Sequence, residues 1–385
     1  MARDPKDKLI LTTGGYQYVG WLAVNVTRSL EEAVSTFELS LTEDTSATGD
    51  RIRPRLGTKC TIDIGETRVL TGYIDSVDIA HDGGSHTVEV TGRSRTQDLV
   101  DCSIVTEPFQ YRDRSLLDIA TVLAAPYKVP VLDEREPADP VVLIKRFVCE
   151  TGETPFEATE RLARDQQALV TDNEYGELVL TTVGQLDLPP LTHPGNILRA
   201  RLRADISGRY SEYVVKAQTV EDDENYGEVV SGIDALIADD EVPRYRALVI
   251  KGERAMSAAD AKRRATWEAV TRAGKSAQVE IAVRGWRAAD GLLWQTNGIS
   301  RVKDAVIGVD ADLLVVQVSY SYDEVGERTE MLLAPPGGYT PIPPNDQRTK
   351  GRKKRITADI DLWDLVPEYL RPSNDGTWPE LAGGA

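Results

Sequence analysis

Short segments of alternating apolar and polar residues fill residues 9–93, and this pattern constrains the fold more than any other feature. It is clearest at 35–41 and 59–64. A period of two is typical of strands that bury one face. Turn-forming residues at 65–66 and 82–85 separate neighbouring segments, which predicts consecutive hairpins. We therefore expect an antiparallel barrel or sandwich in this part of the chain.

Residues 94–196 mix helical and strand patterns. The apolar positions of 113–125 repeat at helical spacing until a proline ends them. Residues 154–157 read Thr-Pro-Phe-Glu, a capping box with proline at the first helical position, so a second helix should begin there and run to about Gln167. A loop rich in turn-forming residues then divides 168–182, which predicts a further hairpin.

The strand-like alternation returns from about residue 199. One helix should interrupt it, with a start signal at 257–260 and a stop at Gly274. The apolar residues of this helix that are available for burial are Ala261, Ala265, Trp267 and Val270. The alternating segments are 210–218, 245–250, 277–283 and 313–320.

These patterns predict a mainly β fold with α+β character. Two antiparallel β-barrel-like domains, 1–95 and 199–336, are separated by a mixed α/β domain, 96–198. The helix at 257–274 is an insertion in the second β-barrel-like domain. An extended C-terminal arm, 337–385, completes the predicted organisation.

The C-terminal arm is Pro-rich, then basic at 350–355, then aromatic and acidic, so we expect it to lack a core of its own. Exposed aromatic side chains in such an arm are costly unless they dock on a partner. The basic run could contact DNA phosphates, although a solvated linker is the simpler interpretation. The predicted partner-binding residues are Trp363, Leu365, Tyr369 and Trp378.

Size and charge narrow the class of protein. With 385 residues and 41% hydrophobic content, the chain can fill more than one core. Lys and Arg total 45 against 62 Asp and Glu, and the net charge of -17 makes the surface as a whole repel polyanions. No apolar run approaches the roughly 18 residues that span a bilayer. We therefore expect the protein to be synthesised in the cytoplasm and not to insert into a membrane.

The sequence lacks the usual motifs of catalysis and cofactor binding. His81, His86 and His193 include no H-E-x-x-H pair, so a metal site is not expected. A nucleophile elbow, a P-loop and a strand-linked G-x-G-x-x-G are also missing. Cys60, Cys102 and Cys149 lie far apart, which argues against a disulfide framework or a zinc site.

The remaining reactive side chains have simpler interpretations than catalysis. Glu153, Glu157 and Glu160 are interpreted as helix-capping or solvated groups rather than an acid/base pair. Cys102 and Cys149 have no neighbouring histidine in sequence and are interpreted as small buried residues. We therefore predict no catalytic residue, no cofactor and no metal.

Seven segments along the chain carry a family resemblance. They are GWLAVNVTRS at 20–29, GSHTVEVTGRSRTQDLVDCS at 84–103, GETPFEATERLA at 152–163, YSEYVVK at 210–216, RYRALVI at 244–250, WEAVTRAG at 267–274 and GWR at 285–287. In this order they resemble the Mu-like bacteriophage baseplate hub proteins, a contractile-tail family related in architecture to the hub part of VgrG-type spikes. The resemblance covers about residues 9–336 and leaves the arm unmatched.

The resemblance implies a structural role. It implies a homotrimer whose two β domains per chain alternate around the tail axis in a ring of pseudo-sixfold symmetry. Such a ring would join the hexameric tail tube, or adjacent baseplate proteins, to the trimeric central spike. An acidic wall would let DNA pass through the channel without specific binding. The protein would then be part of the tail baseplate of the virion, assembled in the host cytoplasm.

Two alternatives fit the same sequence. The first is a tail-associated peptidoglycan-degrading enzyme, although the span between the β regions has no recognisable acid/base motif. The second is the hub of a DNA-free tailocin or secretion-system particle, which would share the fold and the mode of assembly.

Overall fold

A computed structural model describes residues 8–42, 54–81, 86–105, 107–135, 141–166, 168–217, 233–251 and 258–339. Its strands are β1 (Leu9–Thr13), β2 (Tyr16–Tyr18), β3 (Ala23–Ser29), β4 (Thr36–Thr42), β5 (Lys59–Ile64), β6 (Thr67–His81), β7 (His86–Ser94), β8 (Gln110–Tyr111), β9 (Val131–Asp133), β10 (Phe147–Val148), β11 (Leu169–Asp172), β12 (Leu178–Thr181), β13 (Leu186–Asp187), β14 (Leu191–His193), β15 (Ile197–Ala204), β16 (Glu212–Ala217), β17 (Ile233–Ala238), β18 (Ala247–Lys251), β19 (Ala277–Arg284), β20 (Gly298–Asp304), β21 (Val309–Asp323) and β22 (Gly326–Ala334). The helices are α1 (Gln97–Asp101), α2 (Leu116–Ala124), α3 (Pro155–Asp165) and α4 (Ala258–Lys275), and Ala125–Tyr127 and Pro336–Gly338 are 3-10 turns.

The chain divides into two compact units. Unit 1 comprises Met1–Pro189, Ile281–Gly298 and Val315–Leu332. Unit 2 comprises Pro190–Glu280, Ile299–Leu314 and Leu333–Ala385. Strands β19, β20, β21 and β22 therefore belong in part to each unit.

Unit 1 is built on a large, mainly antiparallel sheet. Its strands follow the order β22-β21-β3-β4-β7-β6-β5-β1-β2. The hairpins β5–β6 and β6–β7 were predicted from the sequence and are confirmed. Burial alternates as the period of two predicts, since Cys60, Ile62 and Ile64 of β5 are buried and the residues between them are not.

The predicted closure into β-barrel-like domains is wrong, because no closed barrel is found in the described part of either unit. In unit 1, β3 pairs with β4 at one edge and with β21 at the other. To close a barrel, the first hairpins would have to pair with β3 at this second edge. Strand β21, from far along the chain, pairs there instead. A period of two specifies the buried side of a strand but not its neighbour. The mainly β fold with few helices is as predicted.

Two capped helices and a hairpin form a second core in unit 1. Ser115 begins α2 and Thr154 begins α3, each with a complete capping box, as predicted for Thr154. Strands β11 and β12 form the predicted hairpin, while β9 joins β12 as a parallel neighbour that was not predicted. The buried residues of this core include Leu99, Ile119, Leu123, Leu162 and Leu180.

Unit 2 contains a small sheet in the order β17-β16-β18, with α4 packed on one face. Strand β16 is antiparallel to β17 and parallel to β18. The core between sheet and helix joins Tyr213 and Val215 to Ala261 and Ala265, and both alanines were predicted to be buried. The predicted burial of Val270 is wrong, because its side chain is exposed on α4.

Gly274 has a different role from the predicted helix stop. Helix α4 continues to Lys275. A Cβ atom at Gly274 would lie 2.3 Å from the Cα atom of Gly338. Glycine is therefore needed here for the close approach of α4 and the 3-10 turn.

Candidate assembly surfaces

The carboxylates around the start of α3 stabilise local structure. Glu153 accepts from two guanidinium nitrogens of Arg161, at 2.9 and 2.8 Å. Glu157 accepts from the Thr154 N–H at 2.9 Å, and the Thr154 hydroxyl accepts from the Glu157 N–H at 3.2 Å. These contacts support the interpretation of Glu153 and Glu157 as structural groups.

Two of the three cysteines are buried and poorly suited to nucleophilic chemistry. Burial, followed by the charge of Asp75, raises the pKa of Cys60 to about 12. Burial, followed by the charge of Glu153, also raises the pKa of Cys149. A thiol with a raised pKa is protonated at neutral pH and reacts slowly. Cys102 differs from the prediction, because it lies at the C-terminal end of α1 and is exposed.

Two of the three histidines pair across a hairpin of unit 1, and the third belongs to unit 2. His81 and His86 are opposite each other in the β6–β7 register, whereas the Nδ1 atom of His193 in unit 2 lies 3.9 Å from the Asp304 carboxylate. Over the described ranges, no group of three or more His, Cys, Asp and Glu side chains could hold a metal ion.

A buried carboxylate fixes the β11–β12 hairpin to the large sheet of unit 1. Asp172 accepts from the N–H and from the hydroxyl of Ser35, both at 3.0 Å. Burial raises the pKa of Asp172, and the positive charge of Arg28 and hydrogen bonds from Ser94 and Ser35 oppose that shift. In the same hairpin, a Cβ at Gly176 would lie 2.6 Å from the Thr71 carbonyl oxygen. The hairpin therefore has one tightly defined position on the sheet.

An apolar groove lies on the mixed part of unit 1. It is shallow, with room for no more than about one water molecule. Val105 and Val122 at its margin are exposed, as are Val141, Val142 and Leu143 of the same unit. Exposed apolar surface of this kind is typical of contact sites. No helix in the described part of the chain has the length and apolarity to cross a membrane. The groove is lined by Ile104, Val105, Tyr111, Val122, Leu123, Pro126, Tyr127 and Pro155.

A second apolar surface is the side of the small sheet that faces away from α4. Val214 lies between Leu236 and Val249 in the registers of the two strand pairs. Leu236 is 55% and Val249 59% exposed, and Tyr245, two residues before β18, is 78% exposed. We call these four residues the open face of unit 2.

The sequence predicts strands at Val214 and Val249, but neither the strand of Leu236 nor the open face itself. The available signal is a run of consecutive apolar residues, Val214–Val215 and Leu248–Ile250, in place of alternation. Parallel strands buried on both sides show such continuous runs. Helix α4 accounts for only one of the two apolar sides.

The predicted partner-binding residues Trp363, Leu365, Tyr369 and Trp378 lie outside the described residues. The basic run 350–355 also lies outside them.

Three family models match successive parts of the chain. Residues 8–94 match the N-terminal model of the Mu phage baseplate assembly protein GpP-like family. Residues 96–182 match the second domain of the baseplate hub protein gp44-like family. Residues 257–342 match the fourth domain of the Mu phage baseplate assembly protein GpP.

Solved structures with this fold include phage tail proteins. The 43 kDa tail protein of prophage MuSo2 from Shewanella oneidensis is 32% identical with a TM-score of 0.78, covering 88% of this chain and 100% of that one. An E. coli protein, c3393, described as a component of the type VI secretion system, shares the fold alone, at 12% identity and a TM-score of 0.53 over 86% of this chain and 80% of that one. The fold and the 32% identity place the chain in the class of phage tail proteins.

Sequence identity over the whole chain identifies the family within this class. The baseplate hub protein gp44 of Escherichia phage Mu is 32% identical over 378 residues, which cover 96% of this chain and 98% of that protein. The chain belongs to the Mu-like phage baseplate hub protein family, and is a structural component of the phage baseplate. The resemblance found in the seven sequence segments is thereby confirmed, and the family is not one of enzymes.

Proposed function

We propose that three copies of the protein form a ring on the axis of a contractile tail, which adapts the hexameric tail tube to the trimeric central spike. The match to the Mu baseplate hub over 96% of the chain carries this proposal. The presence of two β regions per chain supports it, because three chains would then offer six similar docking sites to the tube. The opposite side of the ring would keep threefold symmetry for the spike.

The same ring would surround the DNA channel. Glu38, Asp78 and Glu89 lie on the neighbouring strands β4, β6 and β7, and the net charge of the chain is -17. An acidic channel wall gains nothing from counterion release and so would not retain DNA. A structure of the assembled ring with a channel wall of lysine and arginine would exclude this part of the proposal.

The partner contacts are assigned to the C-terminal arm and to the groove of unit 1. In the arm, Trp363, Leu365, Tyr369 and Trp378 would dock on the spike or on an adjacent baseplate protein, since aromatic side chains dominate the energy of many interfaces. Deletion of residues from 340 onward should abolish assembly of the baseplate. Normal assembly of the shortened protein would exclude the arm as a docking element.

The ring is tested by the mass of the purified protein in light scattering, over a series of protein and salt concentrations. We expect a species of three times the 42.4 kDa chain mass. A monomer at every concentration, which also fails to form a trimer with the spike protein, would contradict the ring. A zymogram on peptidoglycan tests the enzymatic alternative, and DNA analysis of purified particles distinguishes a phage from a tailocin.

A further inference from the structure

We propose that the open face of unit 2 is covered by residues 356–362 of the same chain. This segment begins the acidic and aromatic part of the C-terminal arm. The proposal goes beyond ring formation, because it concerns a contact within one chain. Docking here would anchor the arm and leave its later aromatic residues available to a partner.

The open face has the character of a surface that is covered in the native protein. Leu236, Val214 and Val249 form a row across three strands, which spans about 10 Å at the usual strand spacing. Tyr245 extends the row along the β18 side of the sheet and is the most exposed of the four. Because removing apolar side chains of this size from water is favourable, an uncovered row of this kind favours association.

The sequence of the arm fits this row. Residues 356–363 read Ile-Thr-Ala-Asp-Ile-Asp-Leu-Trp, in which every second residue from Ile356 to Leu362 is apolar. In an extended segment such residues share one side and lie about 6.8 Å apart. Ile360 and Leu362 could therefore contact the row together if the segment is extended, and Asp361 and Trp363 would then face the opposite side.

Charge and chain length also favour this occupant. Lys251 at the end of β18 and Arg244 before it are exposed cations that flank the open face. The segment 356–362 carries two aspartates and no cation. The acidic segment itself is thus attracted to these cations on unit 2.

The last described residue, Tyr339, lies against α4, the helix that covers the other side of the same sheet. The Lys275 ammonium at the end of α4 lies 5.1 Å from the ring centroid of Tyr339. Residues 340–355 then span about 50 Å if extended, which is several times the thickness of a helix packed on a sheet. The arm can therefore reach the open face of its own unit.

Cysteine labelling tests whether the arm covers the face. In a Cys102→Ser background, Val249→Cys should react with a maleimide about tenfold more slowly than Val306→Cys, whose parent valine is 78% exposed in unit 2. Adding Ile360→Asp and Leu362→Asp should remove this difference by releasing the arm. Buried Cys60 and Cys149 should stay unlabelled throughout, which verifies that each variant is folded.

Two labelling results would overturn the proposal. The first is equal reactivity of the two introduced cysteines in the unmodified arm background. The second is protection of Val249→Cys that persists when Ile360 and Leu362 are both replaced by aspartate, because another surface would then cover the face.

A disulfide test establishes which chain supplies the arm. Val249→Cys combined with Ile360→Cys should form a cross-link that migrates as a single chain on a non-reducing gel. A covalent dimer would overturn the assignment to the same chain. Neither test depends on the trimer, so loss of the ring and loss of arm docking give different results.

Discussion

The large sheet of unit 1 and the small sheet of unit 2 differ on the side that faces away from their cores. In the large sheet this side carries polar residues such as Glu38 and Glu89, whereas in the small sheet it carries Leu236, Val214 and Val249. A clean alternation of apolar and polar residues is typical of a sheet with one solvated side. Consecutive apolar residues in a strand therefore indicate that both sides of the sheet are covered.

The greatest loss of stability is predicted in the small sheet. A buried ion pair there joins the chain before β16 to the chain after β17. Arg209 lies 2.7 Å from Asp239 and 2.6 Å from Glu241. Arg209→Met leaves the Asp239 carboxylate buried without this cation, so urea denaturation should show a loss of about 3–5 kcal/mol in the free energy of unfolding. Arg203→Met is the matched control, because its pair with Asp205 at 3.6 Å is exposed and should contribute at most about 1 kcal/mol. Similar losses in both variants would contradict the role of burial.

The next largest loss of stability is expected in the large sheet. It tests whether the buried side of this sheet is the only one that stabilises unit 1. Leu39 of β4 is fully buried, at 0% exposure. Leu39→Ala should lower the free energy of unfolding by about 2–5 kcal/mol, because it removes apolar contacts and leaves a cavity. Leu292→Ala makes the same substitution at a residue of unit 1 that is 62% exposed and should change it by no more than about 0.5 kcal/mol. A loss at Leu292 equal to that at Leu39 would show that unit 1 also has a covered outer surface.

An intermediate effect is expected at the carboxylate that fixes the β11–β12 hairpin to the large sheet. Asp172→Asn places an amide N–H against donors from Ser35, so we expect a loss of about 1–3 kcal/mol in the free energy of unfolding. The folded-state pKa of Asp172 is raised above its usual 3.8, so its stabilising contribution decreases as pH rises from 3.8 through the folded-state value. The difference between wild type and Asp172→Asn should therefore be largest at low pH.

Asp118→Asn provides a control with the opposite sign. Hydrogen bonds with the Ser115 side chain and backbone lower the pKa of Asp118 below its usual 3.8. Its contribution to stability is thus present above pH 3.8 and is lost as pH falls through the folded-state pKa. Urea titrations from pH 3 to 8 compare the two variants. Identical pH trends would contradict the assignment for Asp172.

Local signals in the sequence predicted most elements of the fold, and distant pairing accounts for what was missed. The capping residues of α3 specify its start within four positions of the chain, which is why the prediction at Thr154 was correct. The pairing of β3 with β21 instead brings together residues such as Thr27 and Ser319, whose hydroxyl oxygens are 2.9 Å apart across 292 positions. No local pattern specifies that neighbour, so the predicted barrels could not be distinguished from an open sheet.

The candidate surfaces also depend on contacts between distant parts of the chain, which local sequence patterns do not specify. The strands at Val214 and Val249 were predicted, but their exposure depends on α4 covering only one side of the sheet. The polar contacts of Asp172 with Ser35 join segments 137 positions apart and have no sequence signature. The role of Trp363 stays a prediction that the deletion of the arm tests.

The smallest expected effect is on the polar side of the large sheet. Glu89 is opposite Asp78 in the β6–β7 register, and burial, followed by the charge of Glu38, raises the pKa of Glu89 above its usual 4.5. Because like charges on facing strands repel, Glu89→Gln should raise the free energy of unfolding by about 0.2–1 kcal/mol at pH 7. In the wild type, ionisation of Glu89 lowers the free energy of unfolding as pH rises from 4.5 through the folded-state pKa. The gain in stability from Glu89→Gln should therefore vanish at pH 3. Glu66→Gln, in the turn between β5 and β6, should change nothing. A loss of stability in Glu89→Gln at pH 7 would mean that a basic group contacts this side of the large sheet. The large sheet, like the small one, would then have a covered outer side.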